Sequence, residues 1–254
     1  MIHSAIGHLD VAQIVLYAFF LFFAGLIWYL RQEDRREGYP LETEAMGRFE
    51  DRGFLFIPQP KTYRLGGGKT LQMPNCLPDT RPLGGEKVEL WPGSPIEPTG
   101  DPLIAGVGPG AWAERPDVTD KTFDGRDLIV PLRVATNYAL PEDVGNPLGF
   151  TVIDAEGRRA GILKDVWLDR AESILRYYEV ATDAGPSVLA PVHFCDVSFS
   201  ARTLRIDALL ASQIARVPVT KTPDAVTMLE EEKISAFYGA GTLYATIQRA
   251  EPLL

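Results

Sequence analysis

The sequence predicts one membrane-crossing α-helix, then a mainly-β lobe built on a small antiparallel barrel, with a single C-terminal helix. Three features predict it: a long apolar stretch near the start, a series of short apolar runs separated by turn residues from about Asp127 onward, and a capping-box sequence ahead of the last helical stretch. Composition excludes other classes. The 254 residues are 46% apolar and 23% charged, close to globular averages, which rules out a disordered or collagen-like chain. With 34 acidic against 25 basic side chains and a formal charge of -9, there is no basic face able to hold a phosphate backbone, so nucleic acid is not a partner.

The first element runs from Val11 to Leu30, where Gln13 is the only strongly polar side chain. A helix of this length covers roughly 30 Å, the thickness of the hydrocarbon layer. Within lipid an isolated segment satisfies its backbone N–H and C=O groups only as a helix. Trp28 and Tyr29 sit at one end, where amphipathic rings favour the interface. A cleaved signal peptide would need a basic start and a small-residue cleavage site, whereas residues 1–10 hold no Lys or Arg and Leu30 leads directly into Arg31. Arg31, Arg35 and Arg36 crowd the C-terminal side while the N-terminal side offers Asp10, so residues 1–10 are expected outside and the remainder in the cytoplasm. Small residues at Ala18 and Gly25 give weak spots for close helix contact.

Residues 31–120 form the second part. Within them, residues 58–116 contain eleven of the twenty prolines and ten of the 23 glycines. Such a segment cannot sustain regular helix, and the apolar residues just before it and within it, among them Phe54, Phe56, Leu71, Leu90, Trp91 and Trp112, favour an extended ribbon lying on a partner over disorder.

Residues 121–254 form the third part. Ile129 to Val134, Phe150 to Ile153, Ala160 to Leu168, Leu175 to Ala181, Ser187 to Phe194 and Thr203 to Ile206 read as strands, with Ala155-Glu156-Gly157 as a hairpin turn. Residues 160–180 also fit a helical period; strand, loop and strand is the reading kept, with Asp169 to Ser173 as the loop. Thr227-Met228-Leu229-Glu230 has capping-box spacing, and the helix it opens is expected to pass through Tyr238 and stop at Gly239.

Several motifs fail on inspection. Gly66-Gly67-Gly68-Lys69-Thr70 lacks the first glycine of a phosphate loop, where Tyr63 stands, and Pro74 opposes a following helix; it reads as a turn. Gly106-x-Gly108-x-x-Ala111 has Pro109 and Pro116 where a dinucleotide-binding helix would begin. Cys76 and Cys195 are far apart with no metal-ligand spacing, and His3, His8 and His193 are the only imidazoles, so neither a disulfide scaffold nor a zinc or histidine-rich metal site is expected. No serine, nor Cys195, lies in a nucleophile elbow, and Cys195 with His193 reads as a packed pair on one strand face. What remains are carboxylates: Asp124, Asp127, Glu142, Asp143, Asp165, Asp169, Glu172, Glu179 and the run Glu230-Glu231-Glu232. They form either a solvated acidic face or a proton relay toward a buried redox site, since desolvation and like charge can raise a carboxyl pKa toward neutrality.

The run Arg31-Gln32-Glu33-Asp34-Arg35-Arg36-Glu37-Gly38-Tyr39-Pro40-Leu41 after the apolar helix resembles the H subunit of purple bacterial photosynthetic reaction centres. The resemblance continues in order through Glu97-Pro98-Thr99-Gly100-Asp101-Pro102, Val107-Gly108-Pro109-Gly110, Ile129-Val130-Pro131-Leu132-Arg133-Val134-Ala135, Trp167-Leu168-Asp169-Arg170 and Glu230-Glu231-Glu232-Lys233. It implies a non-catalytic, single-pass subunit of the bacterial inner (intracytoplasmic) membrane, with a periplasmic N-terminus and a cytoplasmic lobe of the PRC-barrel type. It implies the L and M subunits as partners, which carry the bacteriochlorophyll, bacteriopheophytin, carotenoid, quinones and non-haem iron; the H chain itself binds none of them. A cytochrome subunit, light-harvesting proteins and membrane lipids are candidate neighbours.

By the same resemblance, proton delivery to the secondary quinone runs through H-subunit carboxylates: Glu172 matches the glutamate near that quinone and Asp124 the acid at the uptake point, with Asp127 and Asp169 as further members. Two histidines that follow that aspartate in some members are Arg126 and Leu128 here, so the uptake route does not carry over whole. Arg176, Glu231, Arg35 and Tyr39 match positions at the contact with the membrane subunits. The alternatives are a membrane-anchored PRC-barrel adaptor unrelated to photosynthesis and a bitopic enzyme that uses carboxylates alone.

Overall fold

The computed structural model describes residues 10–39, 41–43, 47–49, 57–75, 79–141 and 145–250. The N-terminal stretch 1–9, with His3 and His8, and Pro40, Phe54, Phe56, Cys76, Glu142 and Asp143 lie outside the described residues. Two compact units are present, Met1–Arg81 and Pro82–Leu254.

The first unit opens with α1 (Val11–Glu33), none of whose side chains is buried in the protein. Its 23 residues span about 35 Å, and a window of 18 residues within it with a mean hydropathy of 2.2 suits it to cross a membrane. Phe19 and Phe23, one turn apart, stack with ring centroids 5.8 Å apart. The helix outruns its apolar stretch by three residues because polar groups secure its end. Glu33 accepts hydrogen bonds from Arg36 (2.8 Å) and Lys61 (2.5 Å). Arg36 also donates to the carbonyls of Gln59 (2.8 Å) and Met73 (3.2 Å). Two small antiparallel ribbons follow: β1 (Leu41–Thr43) with β2 (Gly47–Phe49), and β3 (Lys61–Arg64) with β4 (Thr70–Met73). Gly66–Gly68 forms the turn between β3 and β4, as the rejected phosphate-loop pattern implied.

The second unit starts with a further ribbon, β5 (Gly85–Lys87) against β6 (Ile96–Pro98), and a one-turn Gly108–Gly110 segment with no dinucleotide-binding helix behind it. The main sheet has seven strands: β7 (Ile129–Pro131), β8 (Thr151–Ile153), β9 (Arg159–Asp169), β10 (Ile174–Thr182), β11 (Ser187–Pro191), β12 (Cys195–Ser198) and β13 (Thr203–Ile206). The path runs β11-β10-β9-β8-β13-β12, with β7 on the far half of the β9 edge. Every pair is antiparallel except β8 with β13, which is parallel, and the path stays open between β11 and β12. The expected all-antiparallel barrel is thus modified at one pair.

Local readings hold with short corrections. The strand, turn, strand reading of residues 160–180 holds, as does the Ala155–Gly157 turn. The strand expected to reach Phe194 ends at Pro191, whose missing N–H closes the ladder, and Val192–Phe194 makes a single tight turn. His193 therefore sits in that turn, with its ring centroid 4.4 Å from that of Phe194, and shares no strand face with Cys195. Cys195 opens β12, which the sequence reading missed; burial raises its thiol pKa.

Helix α2 (Ala211–Ile214) and helix α3 (Met228–Tyr244) close the core, in which Val152, Val166, Trp167, Val180, Leu204, Leu209, Ile214 and Ile234 are almost wholly buried. The capping box forms as expected: Thr227 Oγ1 accepts from the Glu230 N–H (3.1 Å) and Glu230 Oε2 from the Thr227 N–H (2.8 Å). Gly239 does not stop α3, because both of its glycines serve close packing. A Cβ on Gly239 would overlap the Pro109 carbonyl oxygen, and one on Gly241 would overlap that of Ala208. These contacts seat α3 on the Gly108–Gly110 turn and on the core.

Ionic groups pin the inner strands β9 and β10 and the turn after β8. Glu179, in register opposite Asp165, accepts from Arg133 (2.5 Å), Lys164 (2.6 Å) and the Trp167 indole (3.0 Å), and Arg133 also binds Asp165 (2.8 Å). Asp154, fully buried, accepts the backbone N–H groups of Glu156, Arg158 and Ala211. Burial by itself would raise both the Asp154 and Glu179 pKa values, but these donors outweigh it and the net direction is down. A depressed carboxyl pKa adds stability above the unfolded value near 4 and loses it as pH falls through the folded value.

Acid titration of the fold should therefore show a stability loss beginning below about pH 4. Arg133→Met should cost about 3 kcal/mol in chemical denaturation at neutral pH by stranding Asp165 and Glu179. An unchanged midpoint would show that the cluster is held by its other donors. Gly239→Ala should lower stability by about 1–3 kcal/mol despite the roughly 1 kcal/mol gain in helix propensity, because the added methyl overlaps backbone.

Candidate functional site

The predicted acidic residues converge on the turn between β9 and β10. β9 ends at Asp169, whose side chain is 3% exposed. A carboxylate buried there needs donors, and the turn supplies them: Asp169 Oδ1 accepts the N–H groups of Ala171 (2.8 Å) and Glu172 (3.1 Å), and Arg176 lies 3.5 Å from Oδ2. The Asp169 carbonyl accepts from the Ser173 N–H, and Ser173 takes φ +58° to close the turn. From outside, Tyr138 donates its hydroxyl to the Arg170 carbonyl (2.7 Å), and Arg170 donates to the Asp127 carbonyl (3.2 Å) and to the Leu128 carbonyl through its backbone. Glu172 is left exposed at the tip of a turn fixed from several directions.

Asp127 stands beside this turn through its own backbone and ion-pairs with Lys121 at 2.6 Å. Asp124 occupies the tip of the neighbouring Thr122–Arg126 turn, bound by the Thr122 hydroxyl and by Arg126 (2.6 Å). Those partners hold both carboxyls below the usual range: Thr122 ahead of Arg126 for Asp124, and Lys121 first for Asp127. At neutral pH the two are fixed negative charges.

Beyond the turn, β10 leads into a cleft of about 400 Å³ lined by Arg115, Arg176, Tyr177, His193, Glu231 and Glu232. Tyr177 donates to Glu231 Oε2 at 3.0 Å across the gap between β10 and α3. Burial pushes the Glu231 pKa up, against the pull of Tyr177, Arg115 and Arg176, and raises that of Tyr177 as well. Arg176 thus joins two groups, touching Asp169 on one side and lining the Glu231 cleft on the other. On the other side of Ser173 and Ile174 lies an apolar hollow of about 380 Å³ lined by Leu132, Leu168, Leu175, Tyr178 and Phe199.

The structure therefore brings Asp127, Asp169 and Glu172 together, sets Asp124 on the adjacent turn, and lines one cleft with both Arg176 and Glu231. Arg35 and Tyr39 belong to the first unit, where the Arg35 guanidinium lies 5.3 Å from the Tyr39 ring centroid. Tyr177, Tyr138, Arg170 and His193 complete the site and were missed in the sequence. Only the opposite placement of Tyr177 and Glu231 across a strand and a helix reveals the first of them. Among the described residues no group of His, Cys, Asp and Glu is arranged to hold a metal ion.

Two family models match this chain. The photosynthetic reaction centre H-chain N-terminal region matches residues 3–134, just over half the chain, and the PRC-barrel domain matches residues 142–211. With the apolar helix, the ribbons and the Asp124 turn inside the first match and the β8–β13 sheet almost wholly inside the second, the chain belongs to the family of photosynthetic reaction centre H chains and carries a PRC-barrel domain.

Proposed function

We propose that the chain is a non-catalytic subunit that caps the L and M subunits on the cytoplasmic side, shields the quinone sites and assists proton transfer to the secondary quinone. α1 anchors it once in the bacterial inner membrane, with residues 1–10 periplasmic and the lobe cytoplasmic; Arg31, Arg35 and Arg36 at the C-terminal end of α1 support this orientation. The pigments, quinones and iron belong to the partner chains.

The observation that carries the proton role is an exposed Glu172 on a turn held by a buried Asp169, next to acids of divergent character. A reduced quinone in a low-dielectric pocket needs protons without opening that pocket to water. Asp124 and Asp127, held ionised, concentrate protons at the surface, and Glu172 presents a carboxyl to the partner face. Arg176, Glu231, Arg35 and Tyr39 form contacts with the membrane subunits.

In the assembled complex, Glu172→Gln should slow proton-coupled second electron transfer roughly tenfold, equivalent to about 1.4 kcal/mol, with primary charge separation unchanged. Flash kinetics unaltered across pH would remove Glu172 from the route. Pigment absorbing in the near infrared should co-elute with the chain in mild detergent; a colourless chain would favour the adaptor reading. Glu231→Gln keeps an acceptor for Tyr177 while removing a charge that burial disfavours. Because a raised carboxyl pKa costs stability as pH rises from the unfolded value near 4.3 through the folded value, the variant should gain on the parent from pH 4 to pH 7 in denaturation of the isolated chain. A difference independent of pH would show that Glu231 ionises freely.

A further inference from the structure

We propose that the β3–β4 ribbon is a lipid-contact element that reads the anionic headgroups around the cytoplasmic end of α1. The inference rests on α1 spanning the membrane. Residues 57–75 carry Lys61, Arg64 and Lys69 and not one acidic side chain, in a chain whose formal charge is -9. Within the first unit this basic ribbon is tied to the end of the apolar helix. Lys61 Nζ is 2.5 Å from Glu33, the last residue of α1, and 5.8 Å from the centroid of the Tyr29 ring, while Arg36 grips the carbonyls of Gln59 and Met73 at the base of both strands. Four residues of strand reach about 10 Å, so Arg64 and Lys69 stand within about one Debye length of the helix end.

The ribbon is amphipathic as well as basic. In the observed register Tyr63, Leu71 and Met73 share one side with Lys61, while Thr62, Arg64, Thr70 and Gln72 share the other. Tyr63, Leu65 and Leu71 are 42%, 49% and 39% exposed. Two strands alone are marginally stable in water, so this ribbon gains by lying on a surface. A membrane interface supplies what the two faces require: tyrosine and leucine settle at headgroup level, and cations meet phosphate. Arg64 and Lys69 make no ion pair among the described residues, whereas Lys61 is engaged with Glu33. Each Lys or Arg close to an anionic leaflet shifts association by about fivefold.

The test places the full-length chain in bilayer discs of phosphatidylcholine alone or mixed with phosphatidylglycerol and follows amide hydrogen exchange over Lys61–Met73. Exchange should slow at least about fivefold on adding phosphatidylglycerol, and should recover at roughly 1 M salt, where the screening length falls to ~3 Å, and in the Arg64→Glu/Lys69→Glu variant. The amides of α1 should stay protected in every disc. Ribbon exchange indifferent to lipid charge while α1 remains protected would overturn the headgroup contact alone. Equal protection by inorganic phosphate in neutral discs, or protection that arises only with acidic partner subunits, would overturn it in favour of a free-anion site or a protein contact. Open exchange of α1 would overturn the spanning reading and the contact with it.

Discussion

A carboxylate buried at the end of a strand organises the functional end of this molecule. Asp169 has no solvent to meet its charge, so the β9–β10 turn must curl back and offer its N–H groups. That requirement sets the shape of the turn, including the positive φ of Ser173, and leaves Glu172 displayed at its tip. The second oxygen of Asp169 orients Arg176, which carries the same constraint into the cleft where Tyr177 and Glu231 meet. One desolvated charge thereby places both the exposed Glu172 and the Arg176 guanidinium that lines the Glu231 cleft.

Charge within the site is graded rather than uniform. Asp124 and Asp127 sit outermost, each satisfied by a neighbouring donor and held ionised. Glu231, enclosed between β10 and α3, is biased toward its protonated form by burial, although two arginines lie nearby. Burial thus sets Glu231 apart from the two outer acids, whose donors hold them ionised. The sequence reading offered Glu231 both as one of the remaining carboxylates and as an interface residue; the fold adds its enclosure beside Tyr177.

What was legible in the sequence was local. The apolar run of α1, the alternation of β9 and β10, the Ala155–Gly157 turn and the Thr227–Glu230 capping box each depend on residues within a few positions of one another, and each formed. What was not legible depends on distant backbone. Gly239 looks like a helix stop until the Pro109 carbonyl is brought against it. The parallel pairing of β8 with β13 joins segments about fifty residues apart, and β12 is short and only half-buried, without the apolar run that marks its neighbours. Asp124, Asp127, Asp169 and Glu172 were named as candidates from the sequence; the meeting of the last three at one turn, with Asp124 on the next and Tyr138 and Arg170 as outer braces, required the fold.

The most direct measurement is a double-mutant cycle on flash-induced proton uptake in the assembled complex, combining Asp169→Asn with Glu172→Gln. If Asp169 works by holding the turn that displays Glu172, then Asp169→Asn slows uptake in the parent and has little further effect once Glu172 is Gln. Losses that simply add would mean that the two carboxyls act separately, and the dependence of this site on the buried aspartate would be refuted.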